Sequence, residues 1–145
     1  MPEWMFLSIG PFAFAVAFGS IICFRERRMS KSTLVDVLLV FGGIFVIGFN
    51  KEVAAPAVRN FITEYLDHFF LCPVCIGAGN LMLVALRHTP WRSFDRCLAV
   101  SLGIGLFLEF GYPYLSMHIG GDWFDVGVYV AGGLVPAVTY KIFKV

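Results

Sequence analysis

Five apolar stretches divide the chain. Residues 4–24 carry no charge, and residues 33–49 carry one acid, Asp36, near one end. Residues 69–86 are again uncharged, residues 98–117 enclose Glu109, and residues 124–140 begin at the edge of Asp125. About 20 apolar residues cross the hydrocarbon core of a bilayer, and about 17 suffice. The pattern therefore predicts an all-α, polytopic integral membrane bundle of about five transmembrane helices. The first stretch starts beside Glu3 with no basic residue before it, and its apolar run is longer than the core of a signal peptide. It reads as a retained helix.

Between the second and third stretches the period changes. Pro56 suits a first helical turn, and Val58, Phe61, Ile62, Tyr65 and Phe69 then recur at helical spacing. Arg59, Thr63, Glu64 and Asp67 occupy the other face. Residues 56–68 thus read either as an amphipathic helix on the membrane surface or as an extension of the third span. Ser101 with Gly105, and Gly132 with Gly133, mark places where neighbouring helices can approach closely.

Composition narrows the class further. Hydrophobic residues make up 59% of the 145 positions and charged residues 14%, whereas a soluble domain is about 25% charged. Residues 1–145 read as a single transmembrane domain, and a net charge of +1 gives no electrostatic case for nucleic acid. The position of the bases is more informative. Nine of the 11 Lys and Arg residues fall in the 25–31 loop, the 87–96 loop and the 141–144 tail, leaving only Lys51 and Arg59 elsewhere. The positive-inside rule then places the N-terminus outside, the C-terminus in the cytoplasm, and the protein in the inner membrane as a multi-pass chain.

Three groups of residues could carry chemistry. Glu109 is an acid within a membrane span, where an ionised side chain costs roughly 2.5–3.5 kcal/mol or more, so it needs a polar partner or a wet cavity. Tyr112, Tyr114, Tyr129 and His118 are its expected partners, because no base falls at membrane depth. Glu64, Asp67, His68, His118, Asp122 and Asp125 all map to the outer side. They lack HExxH, HxH or any paired metal spacing, so no metal is expected and Asp122 or Asp125 reads as a cap of the last helix. Asp36 reads as an interfacial residue near Arg28 or Lys31. The third group is Cys72-Pro73-Val74-Cys75, a possible redox pair at the outer end of a span. Locally it resembles the quinone-linked disulfide-generating membrane enzymes of the DsbB type, without that family's following basic residue or second outer cysteine pair.

A wider resemblance rests on Glu109, Asp122, Asp125-Val126 and Gly132, preceded by Glu64, His68 and Phe69. This set resembles the C-terminal signature of VanZ-like membrane proteins, over roughly residues 64–145. Tyr65, Tyr112 and Tyr129 stand where that family carries Lys, Gln and Asn. The Gly-Asp-Trp-Phe-Asp loop is also similar to membrane proteins of the YjdF type. The resemblance implies a small helical protein of the bacterial cell envelope, tied in some bacteria to tolerance of glycopeptide antibiotics.

The leading expectation is a non-enzymatic protein that contacts a membrane lipid or lipid-linked precursor through Glu109, Asp122, Asp125, His68 and His118. No pattern in the chain names a cofactor. A second expectation is an accessory subunit packed against other membrane proteins, since 16 Phe, five Tyr and three Trp supply bulky apolar surface. A third is thiol oxidoreduction through Cys72 and Cys75.

Overall fold

A computed structural model describes residues 30–51, 61–115 and 121–145, and every regular element among them is helical. Helix α1 spans Lys31–Phe49, α2 Phe61–Ala85 and α3 Phe94–Leu106. The α3 axis continues through a π turn, Phe107–Gly111, into the short α4, Tyr112–Leu115. Helix α5 spans Trp123–Phe143. Four stretches are long and apolar enough to cross a membrane: Lys31–Phe49, Tyr65–Ala85, Phe94–Tyr114 and Trp123–Phe143. They coincide with the second to fifth expected spans. The first, 4–24, lies outside the described residues, as do positions 56–60 of the expected surface segment and His118.

The helices overrun the apolar stretches because backbone hydrogen bonding continues into polar sequence. Residues 61–68 are thus the first turns of α2 itself, continuous with the span that follows. The packing order is α1, α2, α5, α3, so α2 and α5 form the centre. With each span reversing the last, α2 and α5 run in the same direction between two antiparallel outer helices.

Small residues set the helix contacts. Gly77 of α2 lies against the backbone of α1, where an added Cβ would meet the Asp36 carbonyl oxygen at 2.8 Å. Gly132 of α5 rests on the Phe69 carbonyl of α2, and Gly133 on the Ser101 side chain of α3. Around these contacts the buried side chains form two clusters. Val35, Leu39, Ile76, Cys97, Ala137 and Tyr140 make one; Val40, Val74 and Leu81 make the other. The outward faces stay apolar: Phe45 is 73% exposed and Leu38 59%. Such faces are expected where lipid is the solvent.

The described charges divide between two ends. Lys31, Arg87, Arg92, Arg96, Lys141 and Lys144 lie at the basic end with Asp95, whereas Asp67, Glu109, Asp122 and Asp125 lie at the acidic end, where Lys51 pairs with Asp67 at 3.8 Å.

Candidate functional site

At the basic end the loop joining α2 to α3 is folded back over the bundle. Arg87 takes a left-handed backbone (φ 62°) that terminates α2, and the Arg87 and His88 amides donate to the Val84 and Leu83 carbonyls at 3.1 and 2.7 Å. The chain then drops so that the Trp91 ring covers Gly79 and the Trp91 amide donates to Asn80 Oδ1 at 2.6 Å. The Cys97 thiol donates to the Trp91 carbonyl at 3.1 Å.

That anchoring delivers Arg92 to Asp36. Arg92 Nη2 donates to Asp36 Oδ2 at 2.6 Å. Asp36 is fully buried, and its other oxygen accepts from the Tyr140 hydroxyl at 2.7 Å and from Asn80 Nδ2 at 3.3 Å. Asn80 Nδ2 also donates to the Tyr140 hydroxyl at 2.9 Å. Both Asp36 oxygens and both Asn80 functional atoms are thus occupied, as a buried polar network requires. Of the two bases expected near Asp36, Arg28 lies outside the described residues; among the described residues the cation paired with this buried acid is Arg92, from a distant loop, and not Lys31.

The acidic end holds most of the residues expected to carry function. The π turn bears Glu109, and the backbone at Gly121 packs against the Glu109 carbonyl and the Phe110 ring. Glu109 Oε2 accepts a long hydrogen bond, 3.4 Å, from the Asp122 amide. The expected phenol partners Tyr112 and Tyr114 instead point outward, 60% and 84% exposed. Asp122 caps α5, accepting from the Phe124 amide at 2.8 Å, and Asp125 adds a second carboxylate to the first turn, where the helix dipole favours negative charge. Substituting Asp122→Ala is expected to cost about 1 kcal/mol of stability, read as a lower unfolding midpoint in detergent.

His68 lies on the side of α2 that packs against α5. Its ring is 5.3 Å from that of Tyr129 on α5, and one turn earlier Tyr65 meets Phe124 edge-on at 5.0 Å. The 65–68 turn of α2 therefore faces the 124–129 turn of α5. In those facing turns His68 Nδ1 and Asp125 Oδ1 are both buried and without a hydrogen-bond partner among the described residues. On the same end Asn50 Nδ2 joins α1 to α2 by donating to the Thr63 carbonyl and to Asp67 Oδ1, each at 2.9 Å.

Cys72 and Cys75 are free thiols. They sit well inside α2, which begins at Phe61, and Cys72 is fully buried. The activating influence of a helix N-terminus on a thiol does not extend that far. No group of three or more metal-ligating side chains occurs among the described residues.

No family model, characterised protein or solved structure matches the chain. What the fold defines is a class: a helical protein with four helices long and apolar enough to cross a membrane, the architecture of multi-pass membrane proteins.

Proposed function

We propose that this is a non-enzymatic, VanZ-like protein of the bacterial cytoplasmic membrane that binds a membrane lipid or lipid-linked precursor at its acidic end. The observation that carries this reading is the pair of buried polar atoms, His68 Nδ1 and Asp125 Oδ1, that have no hydrogen-bond partner among the described residues and lie in facing turns of α2 and α5. A buried polar atom without a partner is costly, and one on each side of a helix contact is what a polar ligand would satisfy. Glu109 adds a carboxylate at the same end of the bundle, accepting from the amide of Asp122, which caps α5. An imidazole flanked by carboxylates accepts hydrogen bonds from hydroxyl or ammonium groups, so the head group is of that chemistry. The excess of bases at the other end favours the acidic end facing outward.

The test is native mass spectrometry of protein extracted in mild detergent, comparing wild type with His68→Ala, Asp125→Asn and Glu109→Gln. A hydrogen bond to a charged group contributes about 1.5–3 kcal/mol, so each loss should weaken retention of a hydroxyl- or ammonium-bearing lipid about tenfold or more. Equal retention in all three variants would overturn the reading. Migration with a large complex, carrying no lipid, would replace it with an accessory-subunit role.

A further inference from the structure

We propose that the cleft at the basic end, between the start of α3 and the last turn of α5, binds a phosphate-bearing oxyanion. The cleft encloses about 420 Å³, within the size range of small-molecule sites. Arg92, Lys141 and Lys144 line it together with Phe94, Ala137, Tyr140 and Val145, and among the described residues no Asp or Glu side chain does. Three cations thus meet an apolar wall, which is the pattern that receives a phosphate attached to something less polar.

The fold uses Arg92 only in part and leaves the two lysines free of ion pairs among the described residues. Arg92 spends Nη2 on Asp36, but its Nε is buried and has no partner among the described residues. A guanidinium held through one nitrogen keeps its other N–H groups for a second acceptor in the same plane, and phosphate oxygens match that fork. Asp36, fixed by Tyr140 and Asn80, sets the orientation of the guanidinium. Among the described residues neither Lys141 nor Lys144 forms an ion pair. The carbonyls ending α5 do not compete for the lysines. The Lys144 amide donates to the Lys141 carbonyl at 3.4 Å and the Val145 amide to the Tyr140 carbonyl at 3.1 Å, through a left-handed turn at Lys144 (φ 52°). That turn also brings the Lys144 side chain back beside the cleft.

The proposal does not rest on the acidic-end reading, because the two ends share no residue. Its test uses the full-length protein in nanodiscs of phosphatidylcholine alone or with phosphatidic acid, and separately with inorganic phosphate or glycerol 3-phosphate in solution. The readouts are thermal unfolding and lipid retention by native mass spectrometry.

Wild type should retain phosphatidic acid at least tenfold better than the K141Q/K144Q variant and show a raised midpoint that the variant lacks. The K141R/K144R variant should keep both effects, and the His68→Ala variant should keep them too. Because Lys141 and Lys144 are exposed and unpaired, K141Q/K144Q should unfold like wild type in phosphatidylcholine alone. Stabilisation by inorganic phosphate or glycerol 3-phosphate without phosphatidic acid would identify a soluble phosphate as the ligand of the same site. Stabilisation only by the lipid identifies a membrane head group. The proposal is overturned if no phosphate probe stabilises the wild type, or if whichever probe does so acts equally on K141Q/K144Q.

Discussion

Arg92→Met is expected to lower the stability of the bundle by about 3–5 kcal/mol, the range found when one member of a buried ion pair is removed. The reason lies on the Asp36 side. That carboxylate is fully buried and receives its shortest hydrogen bond, 2.6 Å, from Arg92. Without the guanidinium, a negative charge remains inside the packed contact of α1, α2 and α5, held among the described residues by Tyr140 and Asn80 alone. The measurement is unfolding in detergent by heat or by increasing SDS fraction. Arg92→Lys should fall between Met and wild type, because it keeps the charge and loses the planar fork. The decisive comparison is the double variant Asp36→Asn with Arg92→Met. Removing both charges should recover much of the loss, since a buried pair is worth little against neutral groups of similar size. Unfolding of Arg92→Met at the wild-type midpoint would mean that Asp36 does not depend on this contact.

The same network marks where sequence reading stopped. The helical class was legible because a bilayer dictates the length of whatever crosses it, so uncharged runs such as 69–86 could be counted directly. Asp36 was visible as an acid in a span, but the nearest bases in the chain, Arg28 and Lys31, were assigned to it. Its real partner is 56 positions away. What brings Arg92 there is a left-handed residue at Arg87 and a tryptophan ring seated on Gly79, neither of which leaves a periodic signal. A faint one did exist. Asn80 is the single amide in the otherwise apolar 69–86 run, and a buried amide needs partners. Asn80 together with Asp36 points to a polar layer at this end, though not to the cation that completes it.

At the acidic end the residue types were legible and their contacts were not. Glu109, Asp122, Asp125 and His68 were all named from the sequence. The structure joins Glu109 to the backbone of Asp122 and sets His68 opposite the first turn of α5. A π turn at Phe107–Gly111 rotates the acid relative to an ordinary helix. Such turns are rare and recur at functional positions, and hydrophobic period does not announce them. Tyr112 and Tyr114, two of the phenols the sequence offers to Glu109, lie on the exposed side of the helix.

Gly132→Ala should be the most damaging single-methyl addition in the bundle. The added Cβ would overlap the Phe69 carbonyl of α2. Overpacking usually costs about 1–3 kcal/mol, and the upper part of that range applies here because the obstacle is backbone and has no rotamer to change. The two central helices would have to separate, and the separation would reach His68 and Tyr129, whose rings meet on the same pair of helices at 5.3 Å. Lower stability should therefore come with weaker lipid retention at the acidic end. Gly127→Ala is the matched control. It lies on the same helix, but nothing stands within 4 Å of its added Cβ, so alanine should be neutral or stabilise by up to about 1 kcal/mol through helix propensity. The difference between the two midpoints isolates the close approach of α2 and α5 from the general effect of replacing glycine. If both variants unfold alike, Gly132 does not set that approach, and the placement of His68 against α5 must depend on other contacts.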